Sequence, residues 1–298
     1  MSEAQNIQNI QWFPGHMTKT KRLIEADLKM VDAVVEVTDA RIPQSSRNPI
    51  LDELVGSKPR IMLMNKCDVA DENATRAWSK YFEGLGMGVI VCDCRSGKGI
   101  NKFLPTVKKQ LSDVIERRKS RGMIGKALRV MVVGIPNVGK SSFINRMANS
   151  KKTKVGDRPG VTRGKQWVSI DKDVELLDMP GILWPKFDDK DVAQRLAFTG
   201  AVKDEVVDTS ELARALGEFL LENYPELVKA RYKIAGEGDI LTEIAKARGM
   251  LISGGEPDTE RAAAALLDEF RAGKIGRITL DQAPTVNSIT NGCKGEQG

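Results

Sequence analysis

No run of about 18 apolar residues occurs anywhere in these 298 residues, so the sequence offers no membrane-spanning helix. The N-terminus lacks an apolar signal core, and export is not expected. Cysteine and histidine are scarce. Cys67, Cys92, Cys94 and Cys293 do not show zinc-ligand spacing, and His16, the single histidine, leaves no backup ligand. Reduced thiols in a cytoplasmic protein are the simplest expectation. What the chain has instead is length and positive charge. A chain of 298 residues suits one large or two modest domains with ample core. The net charge of +6 is uneven: residues 200–298 hold 12 Lys/Arg against 17 Asp/Glu, leaving 34 against 23 in residues 1–199. A basic face therefore belongs mainly to the N-terminal part.

Gly134-Ile135-Pro136-Asn137-Val138-Gly139-Lys140-Ser141 matches the whole phosphate-loop pattern G-x-x-x-x-G-K-[ST]. It follows the apolar run Leu128-Arg129-Val130-Met131-Val132-Val133, readable as a buried parallel strand, and precedes a helix-like stretch over 142–148. A chance glycine turn before a helix would not supply motif and flanks together. Gly134 and Gly139 let the backbone wrap closely enough for its N–H groups to cradle phosphates, beside the positive end of the helix. Asn137, Val138, Gly139, Lys140, Ser141 and Ser142 are the expected contacts. Lys140 should bridge the β and γ phosphates as a catalytic charge, and the Ser141 hydroxyl should coordinate Mg²⁺.

Val174-Glu175-Leu176-Leu177 reads as a short strand leading into Asp178-Met179-Pro180-Gly181, a D-x-x-G pattern. In that pattern the Asp supports Mg²⁺ through water and the Gly amide senses the γ-phosphate. Alone it is weak, because Asp, Pro and Gly are common turn punctuation. Between the two motifs, Thr162 sits in a Gly/Pro-rich loop ahead of a strand over 166–170 and is the candidate to close over Mg²⁺, with Thr153 as competitor.

A base-reading tetrapeptide, Asn65-Lys66-Cys67-Asp68, ends the apolar run Ile61-Met62-Leu63-Met64. That places it at a strand's carboxyl edge, where ligands of open α/β sheets bind. The two acceptor oxygens of Asp68 can take both donors of guanine's Watson–Crick edge, whereas adenine presents an acceptor and one donor there. Asn65 and Lys66 would hold the loop and flank the base. The next strand-like run, Val89-Ile90-Val91-Cys92, leads into Asp93-Cys94-Arg95, in the place of the loop whose backbone amide contacts guanine O6; Cys94 is the candidate there. GTP is thus the expected ligand and substrate. A P-loop ATPase is the rival reading, and Asp68 argues against it.

Base motif, second base loop, phosphate loop, threonine loop and D-x-x-G follow one another in that order, with the base motifs ahead of the phosphate loop that they usually follow, so a circularly permuted G domain is expected. Together with Trp12-Phe13-Pro14-Gly15-His16-Met17, Asp39-Ala40-Arg41-Ile42-Pro43 and Leu196-Ala197-Phe198-Thr199-Gly200, this order closely resembles the RbgA/YlqF family of ribosome biogenesis GTPases. The resemblance implies a bacterial cytoplasmic factor that binds the maturing large ribosomal subunit, its rRNA and proteins, and hydrolyses GTP there. Relatives acting on the small subunit carry an OB-fold domain ahead of the G domain, and about 30 residues before the first strand are too few for that barrel. No membrane or DNA partner is expected, and the chain is expected to be a monomer. A nucleotide-dependent RNA-binding scaffold without catalysis is the alternative.

Position 182, after D-x-x-G, is Ile rather than the water-orienting Gln of many GTPases. The resemblance implies that His16 takes that catalytic place; an exposed histidine making an RNA contact is the competing reading. Asn137 can hold K⁺ against the nucleotide, where the ion's charge does the work of an arginine finger, or can merely satisfy a turn. Lys151, Lys152, Lys154, Arg158, Arg163 and Lys165 crowd the threonine loop and suggest an RNA-phosphate contact strengthened when GTP orders it. Arg117, Arg118, Lys119, Arg121 and Lys126 occupy the stretch before the phosphate strand, either a flexible joint or a second RNA contact.

From about 191 the pattern turns helical, over 192–202, 210–221, from Asp239 to 250, and from about 257 to 272. The expected fold class is α/β: a circularly permuted P-loop G domain with a mostly parallel sheet over 1–190, then an all-helical RNA-binding domain over 191–282. Arg271, Lys274 and Arg277 would edge the latter, with a purely packing role as the rival. A polar tail over 283–298 is expected to be flexible.

Overall fold

A computed structural model describes residues 21–22, 24–123, 125–149, 166–181, 189–202 and 208–284. The described residues up to 181, together with 279–284, form one compact unit, and residues 189–278 form the other.

The first unit is built on β1 (Ala33–Asp39), α1 (Ile50–Val55), β2 (Arg60–Asn65), α2 (Glu72–Gly84), β3 (Gly88–Val91), α3 (Phe103–Gln110), α4 (Ser112–Ser120), β4 (Leu128–Val133), α5 (Lys140–Asn149), β5 (Gln166–Asp171) and β6 (Val174–Asp178). Its strands form one sheet in the order β3-β2-β1-β4-β6-β5, and every neighbouring pair is parallel except the antiparallel β5–β6 edge. The expected mostly parallel sheet is therefore present. Every residue of β1 is buried, and β2 and β4 are nearly so, because a central parallel strand is covered on both faces. β5 alternates exposed and buried positions, as an edge strand does. The charge inside β1 is paired: Glu36 accepts from Asn48 N at 2.9 Å, Arg60 Nη2 at 2.9 Å and Arg47 Nε at 3.3 Å, and so pins the chain leaving β1.

Strand register sets Asp39 opposite Asn65 and Val132 opposite Asp178, lining the carboxyl ends of β1, β2, β4 and β6 along one edge. The chain steps from β1 to β2 and β3 on one side and from β4 to β6 and β5 on the other. The topological switch point, the usual ligand crevice of such sheets, falls between β1 and β4.

The stretch read as a joint or an RNA contact is helical through Arg117–Lys119, within α4, and Arg118 Nη2 donates to Asp32 Oδ1 at 2.7 Å. It is not a free linker.

The second unit holds α6 (Lys190–Phe198), α7 (Thr209–Asn223), α8 (Pro225–Tyr232), α9 (Ile240–Ala247) and α10 (Thr259–Arg271). Side chains of Asp189, Asp208, Asp239 and Asp258 accept from backbone N–H groups of the first turns of α6, α7, α9 and α10. α8 has no expected counterpart: it buries only Val228 and Tyr232, too few apolar positions for a periodicity signal, and Pro225 starts it. Leu212, Leu216, Leu220, Leu241, Ile244, Leu266 and Phe270 are buried here. Arg271 donates to the carbonyls of Ala197 (2.9 Å) and Phe198 (3.1 Å) at the end of α6, so its guanidinium has a packing role.

Residues 279–282, expected to close the helical domain, and 283–284, expected to begin the flexible tail, pack on the first unit; residues 285–298 of that tail lie outside the described residues. Leu280 N donates to Arg41 O at 2.7 Å, and the Asp281 carboxylate accepts from Gln44 N (2.7 Å), Ser45 N (2.8 Å) and Ser45 Oγ (2.6 Å). Trp78 Nε1 donates to Asp281 O at 3.2 Å, and Ala283 packs against the cluster of Met62, Met64, Trp78 and Phe82. Backbone donors over 44–45 need a buried acceptor, and a carboxylate more than 230 residues away supplies it.

Candidate nucleotide site

The phosphate loop leaves β4 at Gly134 and enters α5 at Lys140. A Cβ at Gly134 would sit 2.8 Å from Val37 O, so only glycine lets the loop run this close to β1. Gly139 has φ 95° and would press a Cβ to within 2.1 Å of Asn65 Nδ2. Asn137 also takes the left-handed region, at φ 63°, and its side chain is exposed. Ser141 and Ser142 are exposed in the first turn of α5, where helix N–H groups and dipole favour an anion. Val138 is buried, with its carbonyl engaged as described below.

Lys140 is buried and its Nζ lies 2.5 Å from Asp178 Oδ1 at the end of β6. Gly181 lies beside the loop: its Cβ position falls 3.4 Å from Pro136 N and 3.7 Å from Gly134 O. The D-x-x-G turn and the phosphate loop thus share one wall.

The base-reading segment meets this loop through one side chain. Asn65 is buried; its Nδ2 donates to Val138 O at 2.8 Å, and its Oδ1 accepts from Cys94 N at 2.9 Å. The amide orientation follows from its neighbours, since a carbonyl can only accept and an N–H can only donate. Cys67 N donates to Cys92 O at 3.1 Å, and Arg146 of α5 donates Nε to Cys94 O at 3.2 Å and Nη2 to Arg95 O. Phosphate loop, base motif and second base loop are joined into one body.

Behind the base motif lies an ion network. The Asp39 carboxylate takes Arg41 N and Nε on Oδ1 (both 3.0 Å), and Arg41 Nη2 (2.8 Å) and Lys66 Nζ (2.9 Å) on Oδ2. Burial alone would raise the Asp39 carboxyl, but the charges of Arg41 and Lys66 and their hydrogen bonds outweigh it and hold the group well below the usual carboxylate range. Burial would likewise lower Arg41; the charge and hydrogen bonds of Asp39, with the charge of Asp68, raise it instead. Lys66, at φ 62°, is turned back onto Asp39, while Asp68 is exposed at the lip.

Asp93 shapes the second base loop by accepting from Arg95 N (2.8 Å) and Ser96 N (3.1 Å). Its burial, which raises the carboxyl, is outweighed by these bonds and by the Ser96 side chain, and the group is lowered. Cys94 is buried and its N–H is used by Asn65. Cys92 Sγ lies 3.8 Å from Cys94 Sγ; that contact and burial push the Cys92 thiol far up, away from the reactive thiolate.

Asn65, Lys66, Asp68, Cys94, Asn137, Val138, Gly139, Lys140, Ser141, Ser142, Asp178 and Gly181 all fall along the switch-point edge. His16, Thr153, Thr162, Ile182 and the lysines and arginines over 151–165 lie outside the described residues. Asp39, Arg41 and Arg146 had no individual role assigned from sequence. The signal for Asp39 was available: a carboxylate ending an apolar strand marks the same sheet edge as Asp178.

A family model described as "50S ribosome-binding GTPase" matches residues 129–223. The ribosome biogenesis GTPase A of Bacillus licheniformis is 44% identical over 277 residues, covering 92% of this chain and 98% of that one. The protein of the same name from Priestia megaterium is 45% identical over 277 residues, covering 91% and 96%. Among solved structures, GNP-bound YlqF from T. maritima superposes with a TM-score of 0.62 at 30% identity, covering 90% of this chain and all of that one (100%). The likenesses to these two relatives and to the solved structure run over nine-tenths or more of each chain. The chain belongs to the RbgA/YlqF family of ribosome biogenesis GTPases.

Proposed function

We propose that this GTPase binds the maturing large ribosomal subunit and hydrolyses GTP there as a control step in late assembly, acting as a cytoplasmic monomer. The observation that carries the nucleotide part of the reading is the Asn65 bridge, 2.8 Å to the phosphate loop and 2.9 Å to the second base loop, which lets one nucleotide span both ends. Relatives named ribosome biogenesis GTPase A, and the family description naming the 50S ribosome, support the partner. Asp68 accepts from the guanine edge, and Lys66, steered by Asp39, flanks the ring. Lys140 exchanges Asp178 for the β and γ phosphates, and the N–H groups from Val138 to Ser142 hold the phosphate oxygens. The Asp178 carboxylate, paired with Lys140, and the Ser141 hydroxyl are oxygen donors that would suit Mg²⁺ on a triphosphate, with Thr162 as a further ligand. Bound Mg²⁺ supplies charge that neutralises the phosphate oxygens. Gly181 reports the γ-phosphate, and His16 orients the attacking water once the subunit settles its segment; full subunit-stimulated turnover by His16→Ala would refute that assignment. Asn137 holds K⁺ against the nucleotide, and equal hydrolysis rates in K⁺ and Na⁺ buffers would remove that role. The lysine- and arginine-rich loop over 151–165 and the helical unit contact rRNA.

Co-sedimentation with separated ribosomal subunits in GTP analogue and in GDP, followed by phosphate release, tests the whole. Binding to the large subunit with analogue and faster release in its presence are expected. Intrinsic turnover without a supplied activating group should be on the order of 10⁻⁴ to 10⁻² s⁻¹. Equal affinity for both subunits, or no stimulation, would refute the reading; binding without stimulation would favour the scaffold.

A further inference from the structure

At the sheet edge opposite the nucleotide motifs, the segments entering β1, β2 and β4 and the end of α4 line an open surface hollow of about 450 Å³. Its charged lining is Lys58, Arg117, Arg118, Arg121, Lys126 and one acid, Asp32. Both Asp32 oxygens are engaged, Oδ1 by Arg118 Nη2 at 2.7 Å and Oδ2 by Arg129 N at 2.9 Å. Asp32 therefore orients Arg118 and leaves an excess of four positive charges in the lining. Lys58 Nζ is held by Val31 O at 3.0 Å and Arg117 Nε by Asp113 O at 3.2 Å, whereas Arg121 and Lys126 are exposed and make no ion pair with a described residue. Basic residues in the last turn of a helix ordinarily serve its negative end. That accounts for Arg117 and Arg118, but Lys58 and Lys126 come from other segments and converge on the same hollow. Cations gathered from three chain segments into a concave, partly fixed array match a run of phosphates spaced along a polynucleotide.

We propose that this hollow is an RNA-backbone seat, a second rRNA contact separate from the nucleotide edge and from the loop over 151–165. It rests on the reading of the chain as a ribosome-binding factor. β1 separates the two edges: its seven residues span about 20 Å at ~3.3 Å each, so changes in the seat leave the nucleotide site intact. The contacts are to phosphates and carry no sequence preference of their own.

The test compares the whole protein with an Arg117→Glu/Arg121→Glu/Lys126→Glu variant, and with Lys126→Glu alone, whose exposed position does not threaten folding. GTP-analogue affinity serves as the control for an intact fold. Binding is titrated against protein-free large-subunit rRNA fragments at 50 to 200 mM salt, and against intact subunits. The triple variant should bind rRNA at least about tenfold more weakly, and its log–log salt slope should be shallower by roughly 0.9 for each phosphate that is no longer neutralised. Lys126→Glu should fall between. Unchanged rRNA affinity and slope in both variants overturn the seat. Weaker subunit binding with unchanged rRNA binding also overturns it, since the occupant is then a ribosomal protein. Wild-type rRNA binding that the variant loses, with no subunit binding by either, upholds the seat and refutes the assembly reading; no wild-type binding to rRNA or subunit refutes both.

Discussion

Truncating Asn65 is the sharpest test of how the nucleotide site is held together. The Asn65→Ala change removes the acceptor of Cys94 N and the donor to Val138 O, two bonds of 2.9 and 2.8 Å between buried groups. A typical hydrogen bond contributes only about 1 kcal/mol net, but a buried group left without its partner costs about 1–3 kcal/mol. Two such groups give a loss of about 2–6 kcal/mol, divided between global stability and the order of the two loops. If even about 1.4 kcal/mol falls on the loops, nucleotide affinity drops roughly tenfold, because binding must then organise what the free protein already holds. Asn65→Asp provides the controlled comparison: it keeps an acceptor for Cys94 N but sets a carboxylate oxygen against Val138 O, so it should also lose affinity. Urea unfolding gives the stability change, and titration with a fluorescent GTP analogue gives the affinity. Should both variants bind within about twofold of wild type while stability falls by the stated amount, Asn65 would be a core residue only, and the joining of base and phosphate loops would not depend on it.

Three further outcomes are expected. The depressed Asp39 carboxyl stabilises the fold fully above its unfolded value of 3.8, and that contribution is lost as pH falls from there towards its lower folded value. Urea midpoints at pH 5, 4 and 3 should therefore fall more steeply for wild type than for Asp39→Asn, and parallel curves would contradict the ion network. Asp281→Ala strands Gln44 N, Ser45 N and Ser45 Oγ and should cost about 3 kcal/mol in urea unfolding after partial rescue by water; a loss under about 0.5 kcal/mol would show that residues 279–284 are not needed by the first unit. Asp68→Asn replaces one of the two acceptors facing guanine by a donor, so GTP affinity should fall by about 100-fold and xanthosine triphosphate, which has a carbonyl in place of the exocyclic amine, should compete better. Retained preference for GTP would remove Asp68 from base recognition.

Much of the site was legible because its parts are local. The phosphate loop needs two glycines, a lysine and a hydroxyl within eight positions, and the apolar runs before residues 65, 134 and 178 fix which end of each strand they occupy. The helix cap at Asp239 was readable for the same reason, since capping spans three or four residues. α8 escaped because two buried side chains make no periodic pattern, and α4 escaped because charge density suggested a linker where Arg118 is in fact tied to Asp32 across 86 positions.

Sequence by itself determined the fold class, the permuted order of the motifs and the family. Those follow from short-range residue chemistry and from the order in which strands and loops are written. Tertiary structure alone decided that Asn65 and Val138, 73 positions apart, share a hydrogen bond, that Asp39 steers Lys66, and that Asp281 returns to cap residues 44 and 45. The reason is physical: a buried donor or acceptor must be matched, but only the sheet register decides which distant group comes within about 3 Å to match it.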